Sequence, residues 1–220
     1  MADLQSAATV VLLRDSEEGA ELLLLKRPQH GAFPNAWVFP GGRVEVDDVV
    51  NDDDEEVDVA RRTAARESME ETGLAINPAD LHHYSVWLPP IQAAVRFHTW
   101  FFVGVVPENS QVELPETELV EHVWVTPQGA IDMHQRGEID LMPPTFVTIQ
   151  GLAAASSVQD IVAIAAAVVE PPVYTSHGVK TDEGMMLVWD GDSEYPESEN
   201  TNGRHRLQMG DRPWVFEQVL

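Results

Sequence analysis

The chain has 220 residues and a mass of 24.4 kDa, 44% apolar and 23% charged, enough for one globular domain with a buried core. Aspartate and glutamate number 37 against 13 lysines and arginines, a net charge of −24, and only Lys26 and Lys180 are lysines. Such a surface repels polyphosphate, which excludes a nucleic-acid scaffold or a binder of anionic membranes. The absence of cysteine removes disulfides, thiolate metal sites and a cysteine nucleophile.

Residues 7–14 (AATVVLLR) and 21–27 (ELLLLKR) are rich in apolar and β-branched side chains and predict two strands, with the turn DSEEG between them. Pro28, Gly31, Pro34 and Asn35 predict a loop over 28–36. A short strand at 37–39 follows and ends at Pro40-Gly41-Gly42, which no periodic element crosses. Residues 45–58 hold nine acids and no base, the composition of a solvated surface loop. From Val57 the period becomes helical, VDVARRTAARESMEET, and Gly73 stops it. Strands are expected at 83–88, 96–106 and 121–125. Three helices should follow, opened by Thr126-Pro127, by Pro143-Pro144-Thr145 and by Ser157 with Asp160. The tail, 171–220, has strand-like runs at 185–189 and 214–219 around an acidic polar region. No repeat is present, and the element order predicts a layered α+β fold.

No basic stretch followed by an apolar run opens the chain, and its longest apolar run, 161–169, falls far short of the ~20 residues that span a bilayer. A soluble cytoplasmic protein, monomeric or homodimeric, with no membrane or nucleic-acid partner, is expected.

The chemistry concentrates in Phe39-Pro-Gly-Gly42 and Arg66-Glu-Ser-Met-Glu-Glu-Thr-Gly-Leu74. At about 100° per residue, Glu67, Glu70 and Glu71 share an arc of roughly 100° on the helix. Bare carboxylates at that spacing repel one another by tenths of a kcal/mol per pair. Ala60, Thr63 and Ala64 on the same side are small and should leave room above them. A hard divalent cation turns the repulsion into binding, since Mg²⁺ takes oxygen ligands together with waters and phosphates. Arg66 is suited to orient a carboxylate or to contact phosphate. Taken alone, Glu70-Glu71 equally fits an exposed acidic helix end.

Together these residues resemble the Nudix hydrolase signature: Gly, five residues, Glu, seven residues, then Arg-Glu, an aliphatic, any residue, Glu-Glu, any residue, Gly and an aliphatic. Its second half is present at full spacing from Arg66 to Leu74. Asp58 stands seven residues before Arg66, where the pattern has its first glutamate, after an acidic insertion of ten residues. Ser68 occupies the aliphatic position, with Met69 expected to take the apolar place. An interrupted signature, with Arg96-Phe-His-Thr-Trp-Phe-Phe102 and Leu141-Met-Pro-Pro-Thr145, is similar to the branch containing the peroxisomal coenzyme A diphosphatases and their bacterial relatives.

The resemblance implies an α/β/α sandwich with a mixed β-sheet between helices. All 220 residues would form one domain, with its core at about 5–140, the insertion at 45–58 and a C-terminal helical/β extension at about 141–220. It implies cleavage of a pyrophosphate bond in a nucleoside diphosphate linked to another moiety, helped by Mg²⁺ or Mn²⁺. Coenzyme A or acyl-coenzyme A is the leading substrate. Nucleotide sugars, dinucleotides, nucleoside triphosphates and a non-catalytic nucleotide-binding module are the alternatives. The implied metal ligands are Glu67, Glu70, Glu71 and the Gly42 carbonyl, and the catalytic residues are Glu67, Glu71 and Arg66. Arg43 and Phe39 would contact substrate. The general base is left open between Glu67 and an acid within 116–121. Phe33, Trp37 and Phe97 suit either base stacking or the core.

Overall fold

The computed structural model describes residues 4–31, 33–51, 53–93, 95–115, 121–196, 198–200 and 202–219. Strand β1 (Leu4–Ser16) turns at Gly19, held at φ 109°, into β2 (Gly19–Lys26). Then come β3 (Trp37–Val38), β4 (Gly41–Arg43), α1 (Glu56–Thr72), β5 (His82–Leu88), β6 (Arg96–Val105), β7 (Glu121–Val125), α2 (Pro127–Gln135), α3 (Pro143–Leu152) and α4 (Val158–Ala166). The tail carries five strands, β8 (Val173–Thr175), β9 (His177–Thr181), β10 (Gly184–Val188), β11 (Arg204–Met209) and β12 (Val215–Val219), where two strand-like runs were expected.

Eight strands make one mixed sheet in the order β3-β2-β1-β6-β5-β8, with β4 on β1 and β7 on β2. β1 runs parallel to β6 from Leu4 opposite Arg96 to Leu13 opposite Val105. Its other edge is divided: β4 takes Ala7, Ala8 and Thr9, and β2 takes the stretch from Leu13 to Ser16. Both faces of β1 are buried, and successive side chains sort into two cores. Ala8, Val10 and Leu12 face Ala60 and Ala64 of α1. Val11 and Leu13 face Ile131, Phe146 and Ile161 of α2, α3 and α4. This is the expected helix–sheet–helix sandwich. Strands β9 to β12 form a second, antiparallel sheet, which joins the α2–α4 side through Trp189 and Leu207. No helix among the described residues is long and apolar enough to cross a membrane.

Helix α1 ends as predicted, with Gly73 at φ 71° and its N–H donating to the Met69 carbonyl. At the next position the sequence reading is corrected. Ser68 is fully buried and its hydroxyl donates to the Leu74 carbonyl at 2.8 Å, whereas Met69 is 53% exposed. The site takes a small hydroxyl because the chain leaving the helix passes directly over it.

His134 of α2 is fully buried against Phe146 and Trp214, and its Nδ1 accepts the Leu141 N–H. Burial, and then the charge of Arg212, pull its pKa from 6.5 to about 4. Between those two values the unfolded chain holds a proton that the fold refuses. Stability therefore falls as pH drops from 6.5 toward 4, by about 3 kcal/mol from this group. His134→Gln keeps an acceptor for Leu141 and should flatten denaturant-derived stability across that window. His83 and His98, also held down by burial, should supply the residual slope. A slope unchanged by the substitution would contradict the assignment.

Candidate active site

The stripe of α1 facing the sheet is Ala60, Thr63 and Ala64, all fully buried. Their small side chains bring the helix onto β1; they do not leave space above the acids, as the sequence reading expected. One turn further on, the same stripe brings Glu67 and Glu71 to β4. A Cβ on Gly42 would lie 2.3 Å from Glu67 Oε1, and one on Gly41 would lie 2.4 Å from the Ala8 carbonyl oxygen. The glycine pair therefore lets β4 fit between a carboxylate and a neighbouring strand. The Gly41 N–H donates to Glu71 Oε2 at 2.9 Å.

Arg66 holds the cluster together. Its Nε donates to Asp48 Oδ1 at 3.0 Å, and Nη1 donates to Glu67 Oε1 at 2.9 Å and to Glu70 Oε2 at 2.8 Å. Nη2 donates to the Arg43 carbonyl at 2.9 Å and to Asp48 Oδ2 at 3.1 Å. A guanidinium has five N–H groups, and all five are engaged inside the protein, leaving none for a phosphate. Of the two roles the sequence allowed Arg66, the structure shows the orienting one. Burial pushes the Glu67 carboxyl above its usual range, with Arg66 opposing.

Asp48 is the residue the sequence reading missed. It lies in a short 3₁₀ turn, Val46–Asp48, and is 4% exposed. Its carboxylate accepts from Arg66, from the Glu45 N–H at 2.9 Å and from the Thr63 hydroxyl at 2.8 Å. Burial alone would raise its pKa, but these donors outweigh it and hold the group below the usual range. Counted forward, Asp48 follows Gly42 after five residues, which is the spacing of the signature glutamate. The extra residues therefore lie after that acid, and Asp58 is an exposed partner of Arg61 at 2.6 Å. The signal was in the five-residue spacing; counting backward from Arg66 hid it. Nor is the acidic stretch wholly solvated. Arg62 donates to the Asp48 carbonyl at 2.6 Å and pairs with Asp54, which also accepts the N–H groups of Val50 and Asn51.

Glu67, Glu70, Glu71, Gly42, Arg43 and Phe39 all line one cavity of about 590 Å³, within the usual range of ligand pockets. Phe39 is 3% exposed and packs edge-on against Phe101, so it belongs mostly to the core. Arg43 stacks over the Phe97 ring at 5.5 Å. Phe33 and Phe97 line the cavity, whereas Trp37 is buried in the core. Within the stretch read as an alternative source of the base, residues 116–120 lie outside the described residues. Glu121 pairs with Lys26 at 3.2 Å.

The donor set suits a divalent ion in kind, being carboxylate and carbonyl oxygen. Arg66 Nη1 already places positive charge between Glu67 and Glu70. No three histidine, aspartate or glutamate side chains among the described residues converge in the geometry of a bound ion.

The two aspartates separate in a direct test. Asp48→Ala strips the buried partner from Arg66 and should cost about 3 kcal/mol in chemical denaturation. Asp58→Ala removes an exposed pair and should change stability by less than about 0.5 kcal/mol. Equal effects would refute the reassignment.

A NUDIX domain model matches residues 3–143. A Caenorhabditis elegans protein named as nudix hydrolase 7 is 27% identical over 176 residues, covering 64% of this chain and 57% of the relative. A human acyl-coenzyme A diphosphatase is 34% identical over 83 residues, covering 37% of this chain and 22% of the relative. The chain thus spans a little over half of one curated relative and under a quarter of the other. The crystal structure of a NUDIX hydrolase from Alicyclobacillus acidocaldarius superposes with a TM-score of 0.66 at 23% identity, covering 74% of this chain and 97% of that one. The fold, the signature on α1 and β4, and a family model matching well over half of the residues agree: the chain belongs to the Nudix family.

Proposed function

We propose that the chain hydrolyses the pyrophosphate bond of a nucleoside diphosphate joined to a second moiety, with coenzyme A or acyl-coenzyme A as the leading substrate. The observation that carries this reading is the convergence of Glu67, Glu70 and Glu71 from one helix face on the cavity that also holds Gly42 and Arg43. The partial likeness to the human acyl-coenzyme A diphosphatase supports the substrate.

In this reading Glu67, Glu70, Glu71 and the Gly42 carbonyl hold Mg²⁺ or Mn²⁺. When bound, the ion neutralises phosphate charge and orients the attacking water. Glu67, buried and lining the cavity, is placed to take a proton from that water at its carboxylate. Arg66 acts as a positioning residue, since its donors are spent on Asp48 and the glutamates. Arg43 is available at the cavity wall for a phosphate oxygen, while Phe39 shapes that wall from the core.

Purified protein with Mg²⁺ or Mn²⁺ should convert coenzyme A to 3′,5′-ADP and 4′-phosphopantetheine, identified by mass. ADP-ribose, NADH, diadenosine polyphosphates and deoxynucleoside triphosphates serve as the comparison set. Glu67→Gln and Glu71→Gln should each lower the rate by about 10²–10³ with the fold intact. Tight nucleotide binding without turnover on any substrate would replace the hydrolase by a binding module.

A further inference from the structure

The cavity extends well beyond the acids. Strands β4, β1, β6, β5 and β8 lie side by side in that order. The lining follows them, from Gly42 on β4 through Thr9 on β1 and Phe97 on β6 to Leu88 on β5 and Ser176 just past β8. Four strand spacings of about 4.8 Å make this a trough of roughly 19 Å, with the carboxylates at its β4 end. A pyrophosphate occupies only a short part of such a length.

The side chains change character along the trough. Beyond β1 the lining is Phe97, Phe101, Leu88, Pro89 and Val95, with Met142 and Pro144 at the start of α3 on the same sheet face. The hydroxyls there are those of Thr99, Thr145 and Ser176, and the Ser176 oxygen already accepts the Trp189 indole N–H at 3.0 Å. A sugar needs polar partners around its whole ring, and this wall does not offer them. A flexible apolar chain needs only the surface.

The β8 end is a built wall. The Ser176 N–H donates to the Leu88 carbonyl at 2.9 Å, β8 pairs with β5 from Val86 to Leu88, and Tyr174 stacks flat on Trp87 at 4.0 Å. Pro144, Thr145 and Ser176 lie outside the residues that the NUDIX model matches.

We propose that the C-terminal extension is a specificity wall, making the β5–β8 end of the trough the seat of an apolar, chain-like second moiety such as an acylated pantetheine. This rests on reading the acids as a pyrophosphohydrolase site. Sugar-linked nucleotides are then disfavoured by the wall, whatever happens at the carboxylates.

The probes are uncharged S-acyl pantetheines of increasing chain length, which the acids neither repel nor cleave, titrated calorimetrically into the full chain. A buried methylene is worth about 0.8 kcal/mol, or about fourfold in Kd, so Kd should fall by about tenfold or more between acetyl and hexanoyl. Leu88→Trp, which fills the far end from a half-buried strand position, should abolish most of that gain. Ser176→Leu serves as the second filling variant should Leu88→Trp fail to fold. Chain-length-independent binding in the wild type overturns the proposal, as does an undiminished gain in a folded variant. Failure of the hydrolase reading looks different: no nucleoside diphosphate derivative is cleaved while the chain-length response persists.

Discussion

The constraint on which the site depends is the saturation of one guanidinium. Three glutamates at i, i+3 and i+4 repel on a bare helix, and their repulsion grows when burial takes solvent from Glu67. Arg66 answers with five directed N–H groups, two on Asp48, one each on Glu67 and Glu70, and one on the backbone of β4 at Arg43. A lysine offers three donors on a point charge and could not span that set. The same contacts fix α1 relative to β4, so the height of the carboxylates over Gly42 follows from where the arginine is held. Asp48 in turn holds Arg66, and its own burial makes the arrangement rigid.

That hierarchy explains what the sequence revealed and what it hid. The face of α1, its stop at Gly73 and the need for glycine on β4 follow from periodicity and steric rules, and they were legible. Asp48 was harder to find because its value lies in partners far along the chain: Thr63 and Arg66 are 15 and 18 residues away, across an insertion that composition marks as solvent-facing. Ser68 departed from an aliphatic pattern, and the departure makes sense only once the Leu74 carbonyl is seen above it. Ala60 and Ala64 were read as gaps; their size sets the approach of the helix to the sheet.

The tail was least legible, for a different reason. β11 alternates buried and accessible residues, but its inward positions are His205 and Leu207, and the polar one is tolerated because its Nδ1 meets the Asp190 carbonyl at 2.8 Å while its N–H donates to Asp192. Arg206 beside it pairs with the fully buried Asp192. Hydrophobic patterning misses a strand whose core positions are satisfied by hydrogen bonds. β8 is three residues long and becomes a strand because β5 offers a free edge and Trp87 a flat surface for Tyr174. Such an element is defined by its neighbours, and its effect on the cavity could be read only from them.

The overall charge takes on a more specific meaning here. Arg14, Lys26, Arg61, Arg62, Arg66, Arg136, Arg206 and Arg212 are all tied to acids within the fold. The cations are thus largely spent on internal structure, and the long-range field of a chain at −24 opposes an anionic ligand. Attraction has to come at contact, from groups inside the cavity and from whatever cation accompanies the ligand, where separations are well below the ~8–10 Å over which salt screens charge. A site built this way gains little from electrostatic steering and depends more on the fit of the uncharged part of the ligand. The trough offers that fit on the side of the sheet away from the acids, where binding surface and charge repulsion do not compete.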